Sequence, residues 1–190
     1  MDADENGTID AQMDRIAKGD ETAFNRLVAD HSAFVHTIAK RFTGNTADAD
    51  DITQAVFWTV WEKASGWKSG GASLRTWLYR ITANRCIDQA RRARVRGFLL
   101  PWDRKAQSIA APENGETGVD DKQRLALVLA ALDQLPARQR LAIILVVDQE
   151  LSINEAATAM TTSPGALEQL LVRARRTLRS KLQETEQDHG

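Results

Sequence analysis

The chain has 190 residues, 43% of them hydrophobic, with 25 Lys and Arg against 26 Asp and Glu. That is enough for one domain or two small ones, and the near-zero charge excludes a global pull toward nucleic acid, so any DNA affinity must come from local patches. The single cysteine, Cys86, excludes an internal disulfide framework and argues against a thiolate metal cage. His31, His36 and His189 lack metal-ligand spacing. No apolar run approaches the ~18 residues needed to span a membrane, and the first ten residues are acidic and polar, unlike a signal peptide. These observations predict a soluble cytoplasmic protein without metal or cofactor.

Strand signals are nearly absent and helical periodicity dominates, so the expected fold is all-α. Residues 23–42 carry Phe24, Leu27, Val28, Phe34, Val35, Ile38 and Phe42 at helical spacing. A break at Gly44-Asn45-Thr46 precedes a helix over about 48–64, with Ile52, Val56, Phe57, Val60, Trp61 and Ala64 on one side. Residues 67–73 read as a loop holding Gly70-Gly71. A further helix starts near Ser73, its apolar stripe set by Leu74, Trp77, Leu78 and Ile81.

Composition then shifts. From Gly97 to Asp121, Pro101, Pro112, Gly115, Gly118 and several acids occur without a sustained period, which predicts a flexible linker. Phe98, Leu99, Leu100 and Trp102 cluster at its start and could dock on a neighbour. The chain thus divides into an N-terminal unit over 10–96, a linker over 97–122 and a C-terminal unit over 123–185.

In the second unit, Leu125, Val128, Leu129, Leu132 and Leu135 mark one helix, and Leu141, Ile144 and Leu145 the next. Ser152 and Glu155 have the spacing of a capping box, flanked by Leu151 and Ala156 as a hydrophobic staple. That helix is short, reaching about Met160. After Thr161-Thr162-Ser163, Ser163 is placed to cap a last helix, and Pro164 sits where a missing amide costs nothing. Leu167, Leu171, Ala174, Leu178 and Leu182 form its stripe. A short helix, a tight turn and a longer helix make a helix-turn-helix within a four-helix domain.

The helix after the glycine loop runs from Arg80 and Asn84 through Arg85 to Arg91, Arg92, Arg94 and Arg96, opposed by one acid, Asp88. An unbalanced run of this kind suggests a phosphate-facing surface. Trp67, Trp77 and Tyr79 add aromatic rings of the sort that hold unstacked bases, although Trp77 lies on the apolar stripe and also fits a core role. Arg80 and Asn84, one turn apart on the other face, are better placed to touch DNA. Cys86 reads as a buried structural thiol.

These residues together resemble a family. Asp50-Asp51-Ile52-Thr53-Gln54-Ala55-Val56-Phe57-Trp58-Thr59-Val60-Trp61, then Thr76-Trp77-Leu78-Tyr79-Arg80-Ile81-Thr82-Ala83-Asn84, Leu135-Pro136-Ala137-Arg138-Gln139-Arg140 and Ala174-Arg175-Arg176-Thr177-Leu178-Arg179 follow in the order and spacing of the extracytoplasmic-function (ECF) sigma factors of bacterial RNA polymerase. The resemblance implies that Asp51, Gln54 and Trp58 contact the clamp helices of the largest polymerase subunit. It implies that the loop with Lys68, Ser69 and Gly70 traps a flipped base of the −10 element. Arg80 and Asn84 would hold the melted strand, with Arg91 and Arg92 on neighbouring phosphates. The helix-turn-helix would read the −35 element and pack on the polymerase flap, and an anti-sigma factor would cover the polymerase-binding faces, with Val172, Phe98 and Leu99 as contributors. The sequence departs from the family at Ala55, where an acid is usual, at Leu74, where an aromatic is frequent, and at Glu168, where a basic residue is common.

The last helix opens with Ser163, Gly165 and Ala166, small residues whose amides allow close approach to phosphate. Arg173, Arg175 and Arg176 suit backbone contacts, while Glu168 can accept from a cytosine amino group and Gln169 can pair with adenine. The alternative reading is a sigma-like decoy that binds an anti-sigma factor without DNA. A free-standing helix-turn-helix repressor would need a dimerisation or ligand domain that the first block does not suggest. No cluster of nucleophile, base and orienting acid points to catalysis.

Overall fold

Asp20 and Asn45 start two of the helices by the same device. Asp20 accepts from the Ala23 amide at 2.9 Å and Asn45 from the Asp48 amide at 3.0 Å, each satisfying one of the orphan donors of a first turn. The Ala23 amide, joined by Arg15, whose Nη2 lies 2.7 Å away, holds the Asp20 carboxyl below its ordinary range. Gly44, at φ 68°, ends the helix between them and donates its amide to Lys40. The computed structural model describes residues 2–68, 72–99, 128 and 130–188. Within them it places α1 (Asp2–Ala17), α2 (Glu21–Thr43), α3 (Thr46–Lys63), a 3₁₀ turn (Ala64–Gly66), α4 (Leu74–Leu99), α5 (Ala137–Ile143), a π-helical turn (Ile144–Asp148), α6 (Ile153–Ala159) and α7 (Pro164–Asp188). No strand occurs among the described residues.

The N-terminal unit is α1 to α4. Leu27, Val35 and Ile38 of α2, Val56 and Val60 of α3 and Leu78 of α4 are fully buried, each apolar side chain contributing roughly 1.5–3 kcal/mol before entropy is counted. The first helix was not expected from the sequence. Its Met13 and Ile16 are buried and Ile9 packs against the same core. Gln12 Nε2 also donates to the Ala23 carbonyl at 2.9 Å.

In the C-terminal unit the capping box forms as expected: Ser152 Oγ accepts from the Glu155 amide, and Glu155 accepts from the Ser152 amide at 2.9 Å. The side-chain bond from Ser152 and then its amide hold the Glu155 carboxyl below the ordinary range. The turn between α6 and α7 is a Schellman motif. Thr162 donates to the Ala157 carbonyl and Thr161 to the Thr158 carbonyl, with Thr161 at φ 49°. Leu167, Leu171 and Ala174 are buried beneath α7, while Leu178 and Leu182 are only half-buried.

The two units share one continuous core. Arg140 of α5 donates to the Phe42 carbonyl at 2.8 Å, lies over the Phe42 ring at 5.3 Å, and also binds Asp133 at 2.9 Å. Arg41 pairs with Asp148 at 2.8 Å. α4 runs on to Leu99, so Gly97, the expected first linker residue, is helical. Residues 98 and 99 continue that helix, while residues 100–122 lie outside the described residues, Leu100 and Trp102 among them, as do the side chains of Phe98 and Leu99.

Candidate protein and nucleic-acid interfaces

The helical phase of α3 sorts its side chains between core and surface. Ile52, Val56, Phe57 and Val60 turn inward, leaving Gln54 and Trp58 exposed. Trp58 is 61% exposed, which is unusual for the largest apolar side chain. It stands in a groove of about 690 Å³ between α2 and α3, whose apolar lining is Phe24, Val28, Phe57, Trp58 and Trp61. Phe24 meets Trp61 edge-on at 5.1 Å. The polar lining is Glu21, Asn25, Asp50, Thr53 and Gln54, and an aromatic anchor with a polar rim is the layout of a protein-binding hot spot. The structure therefore brings Gln54 and Trp58 together. Asp51 is exposed beside the groove but does not line it, because one residue's rotation on a helix carries it to the next face. Asp50 lines it instead, and accepts from or pairs with His36 Nε2 at 3.1 Å.

On α4, Arg80 and Asn84 are both exposed, four residues apart and so on one face. Three other arginines of the same helix make contacts within the protein, Arg91 while staying largely exposed. Arg75 donates to the Tyr79 hydroxyl at 3.0 Å and stacks on Phe34 at 5.2 Å. Arg85 donates to Thr59 Oγ1 at 2.6 Å, and Arg91 pairs with Asp88 at 3.2 Å. Arg92 is exposed. Trp77 is half-buried against Trp67 at 5.5 Å, and the Trp67 indole donates to Asp10 at 2.7 Å. α1 thereby braces the residue from which the glycine loop departs. Lys68 is exposed, whereas Ser69 and Gly70 lie outside the described residues. Leu74 is buried, so this position serves the core. Cys86 is buried and burial pushes its thiol up to about 12, which leaves it protonated and unreactive at neutral pH.

The amino end of α7 is open. Ser163, Gly165, Ala166, Glu168 and Gln169 are exposed, and so are Arg173, Arg175 and Arg176. Nothing lies within 4 Å of the position a Cβ would take on Gly165. The Ser163 hydroxyl accepts from the Ala166 amide at 3.2 Å, which assigns it to capping. Val172 is 58% exposed on the same helix. Among the described residues no group of His, Cys, Asp and Glu could hold a metal ion, and no helix is long and apolar enough to cross a membrane.

Comparison with known proteins matches residues 27–96 to Sigma-70 region 2 and residues 125–178 to Sigma-70 region 4. The RNA polymerase sigma factor NccH of Alcaligenes xylosoxydans xylosoxydans is 33% identical over 174 residues, covering 90% of this chain and 93% of its own length. This chain belongs to the ECF sigma factors of the sigma-70 family. The ECF sigma factor SigE of Mycolicibacterium smegmatis is 34% identical over 87% of this sigma factor, which spans 65% of the SigE length. Among solved structures, CnrH in complex with the cytosolic domain of CnrY is 25% identical with a TM-score of 0.63, over 92% of this chain and 97% of that one. RpoE of Bartonella quintana, in complex with the anti-sigma factor NepR, shares the fold with a TM-score of 0.64 at 24% identity, over 84% and 96%.

Proposed function

We propose that this sigma factor divides its work among three surfaces. The groove between α2 and α3, with Gln54 and Trp58 inside it and Asp51 beside it, receives the clamp helices of the largest subunit of core RNA polymerase. The same apolar groove is what an anti-sigma factor must cover to hold the protein inactive. Arg80 and Asn84, with Lys68, Ser69, Gly70, Arg91 and Arg92, hold the opened −10 strand. The amino end of α7 reads the −35 element through Glu168 and Gln169, with Ser163, Gly165 and Ala166 at the close approach and Arg173, Arg175 and Arg176 on phosphates, and its unit packs on the polymerase flap. The units divide at 10–96 and 123–185, and the protein acts in the cytoplasm.

The observation that carries this reading is the placement of the groove. It is lined by α2 and α3 alone, while Arg80 and Asn84 stand on α4, so polymerase and DNA can be engaged at once. The factor itself performs no bond chemistry. Extracting a base costs a few kcal/mol, which a fitted pocket and released counterions offset. Run-off transcription with purified core polymerase tests the whole assignment. Transcripts from one defined start are expected, and a chain that binds an anti-sigma factor but starts no transcripts would be a decoy. In the same system Trp58→Ala is expected to lower core affinity about tenfold, and more than Asp51→Ala. Equal effects would remove the groove from the interface.

A further inference from the structure

Trp67 is tied to two helices at once. The chain leaves the 3₁₀ turn at this residue, where the backbone becomes extended at φ −61° and ψ 134°. Its amide donates back to the Ala64 carbonyl at 3.0 Å. Its ring meets Trp77 of α4 at 5.5 Å, tilted by 59°. Its indole N–H donates to Asp10 Oδ1 of α1 at 2.7 Å, across 57 residues of sequence. A half-buried indole needs an acceptor, but a backbone carbonyl or a water would meet that need. A carboxylate on a separate helix gives a shorter, stronger bond with a fixed direction.

α1 is itself held in place. Met13 and Ile16 are buried, and Ile9 packs against the same core. Gln12 binds the Ala23 carbonyl at 2.9 Å, and Arg15 pairs with Asp20 at 2.7 Å, fastening the second half of α1 to the start of α2. Asp10 follows Ile9 and lies about one turn before Met13, half-buried, so it is a fixed post rather than a free surface carboxylate. We infer that Asp10 is a positioning residue for promoter opening. Through Trp67 it fixes where the chain sets out at Lys68, and how Trp77 seats on α4 one turn before Arg80. No part of α1 need touch DNA for this. The inference rests on the assignment of Lys68, Arg80 and Asn84 to the −10 strand. The start of α4 is set separately, by bonds within its own first turn: Ser73 Oγ accepts from the Thr76 amide at 3.1 Å, and the Trp77 amide donates to the Ser73 carbonyl at 3.0 Å. The Trp67 side depends instead on the ring and its two partners.

Open-complex lifetime after heparin challenge tests this, because it is a property of each complex formed and does not fall when part of the sample is unfolded. With the full chain, core polymerase and a promoter that supports run-off transcription, Asp10→Ala and Trp67→Phe are each expected to shorten that lifetime about three- to tenfold. Trp67→Phe keeps a ring against Trp77 and removes the donor. The double variant should be no worse than the more damaged single one. Asp10→Asn keeps an acceptor oxygen and should retain most of the lifetime. Core affinity should not change, since neither Asp10 nor Trp67 lines the groove between α2 and α3. Wild-type lifetimes in both single variants, whatever their yield of complexes, would reduce the bond to a contact of the fold and overturn the inference. Losses that multiply in the double variant would overturn it too, as would an Asp10→Asn complex as short-lived as that of Asp10→Ala. If Asp10→Ala loosens α1, seen as faster amide exchange over residues 12–16, Trp67→Phe and Asp10→Asn decide the matter. Short lifetimes in Lys68→Ala and Arg80→Ala beside normal ones in Asp10→Ala and Trp67→Phe would sink the positioning role alone. Normal lifetimes in Lys68→Ala and Arg80→Ala would defeat the −10 assignment, and the inference with it.

Discussion

α4 and α7 both carry arginines along one helix, yet they use them differently. α4 is buried on two sides, against α2 and α3 and against the C-terminal unit, and its Arg75, Arg85 and Arg91 bind Tyr79, Thr59 and Asp88. α7 buries a single stripe, Leu167, Leu171 and Ala174, and leaves Arg173, Arg175 and Arg176 exposed. The number of arginines on a helix therefore says less about a DNA surface than the number of faces the fold has already occupied. In the first half of α4 only a narrow strip around Arg80 and Asn84 remains, before the exposed Arg91, Arg92 and Arg94.

The sharpest break of this comparison is on that strip. Arg80→Ala combined with Asn84→Ala is expected to lower open-complex formation about 30-fold, roughly 2 kcal/mol, through lost phosphate and strand contacts. Core-polymerase affinity should stay within twofold. Permanganate footprinting and a core pull-down measure the two separately, and a parallel loss in both would mean that the strip is not a DNA surface.

On α7 the corresponding change alters choice more than strength. Glu168 is exposed at the amino end of the helix, where a carboxylate can accept from cytosine but a lysine donates to guanine. Glu168→Lys should shift preference at one −35 position by about tenfold, within the ~1–3 kcal/mol of a good base contact. Selection from a randomised −35 library would show it. An unchanged consensus would move specificity to another residue.

A smaller effect is expected where an arginine serves the fold. Arg85→Met keeps much of the side-chain volume but removes the 2.6 Å bond to Thr59. The expected cost is about 1 kcal/mol of stability, read by denaturant unfolding, with DNA affinity per folded molecule unchanged. A selective loss of DNA binding would place Arg85 with Arg80 instead.

Much of this architecture could be read from local chemistry. The Ser152–Glu155 box, the Ser163 cap and the buried stripe of α7 depend on neighbours within one or two turns, and such patterns survive in sequence. α1 was missed because Ile9, Met13 and Ile16, correctly spaced for one face, are diluted by charged and polar neighbours. The motif groups Asp51 with Gln54 and Trp58, and the rotation of α3 puts Asp50 in the groove lining. The docking of the two units was not legible at all. Its α4 side includes Ala83 and Cys86, small residues that make no recognisable apolar stripe, and its Arg140 bonds reach a backbone carbonyl 98 residues away.

The helix ends offer the finest version of the same lesson, that identical geometry can be met by different residues at different cost. α1 and α6 both stop in a Schellman motif. Asp20 donates to the Arg15 carbonyl and Gly19 to Ile16, as Thr162 does to Ala157 and Thr161 to Thr158. The left-handed position holds Gly19 at φ 87° in one and Thr161 at φ 49° in the other. A β-branched residue there is strained by roughly 1–2 kcal/mol, whereas glycine gives back about 0.5–1 kcal/mol through unfolded-chain entropy. Thr161→Gly should therefore stabilise the protein by about 0.5 kcal/mol, a rise in Tm of about 2 °C for a chain of this size. Thr161 is exposed, so little packing is lost in the exchange. A fall in Tm would show that the threonine side chain contributes more to the turn between α6 and α7 than its backbone strain removes.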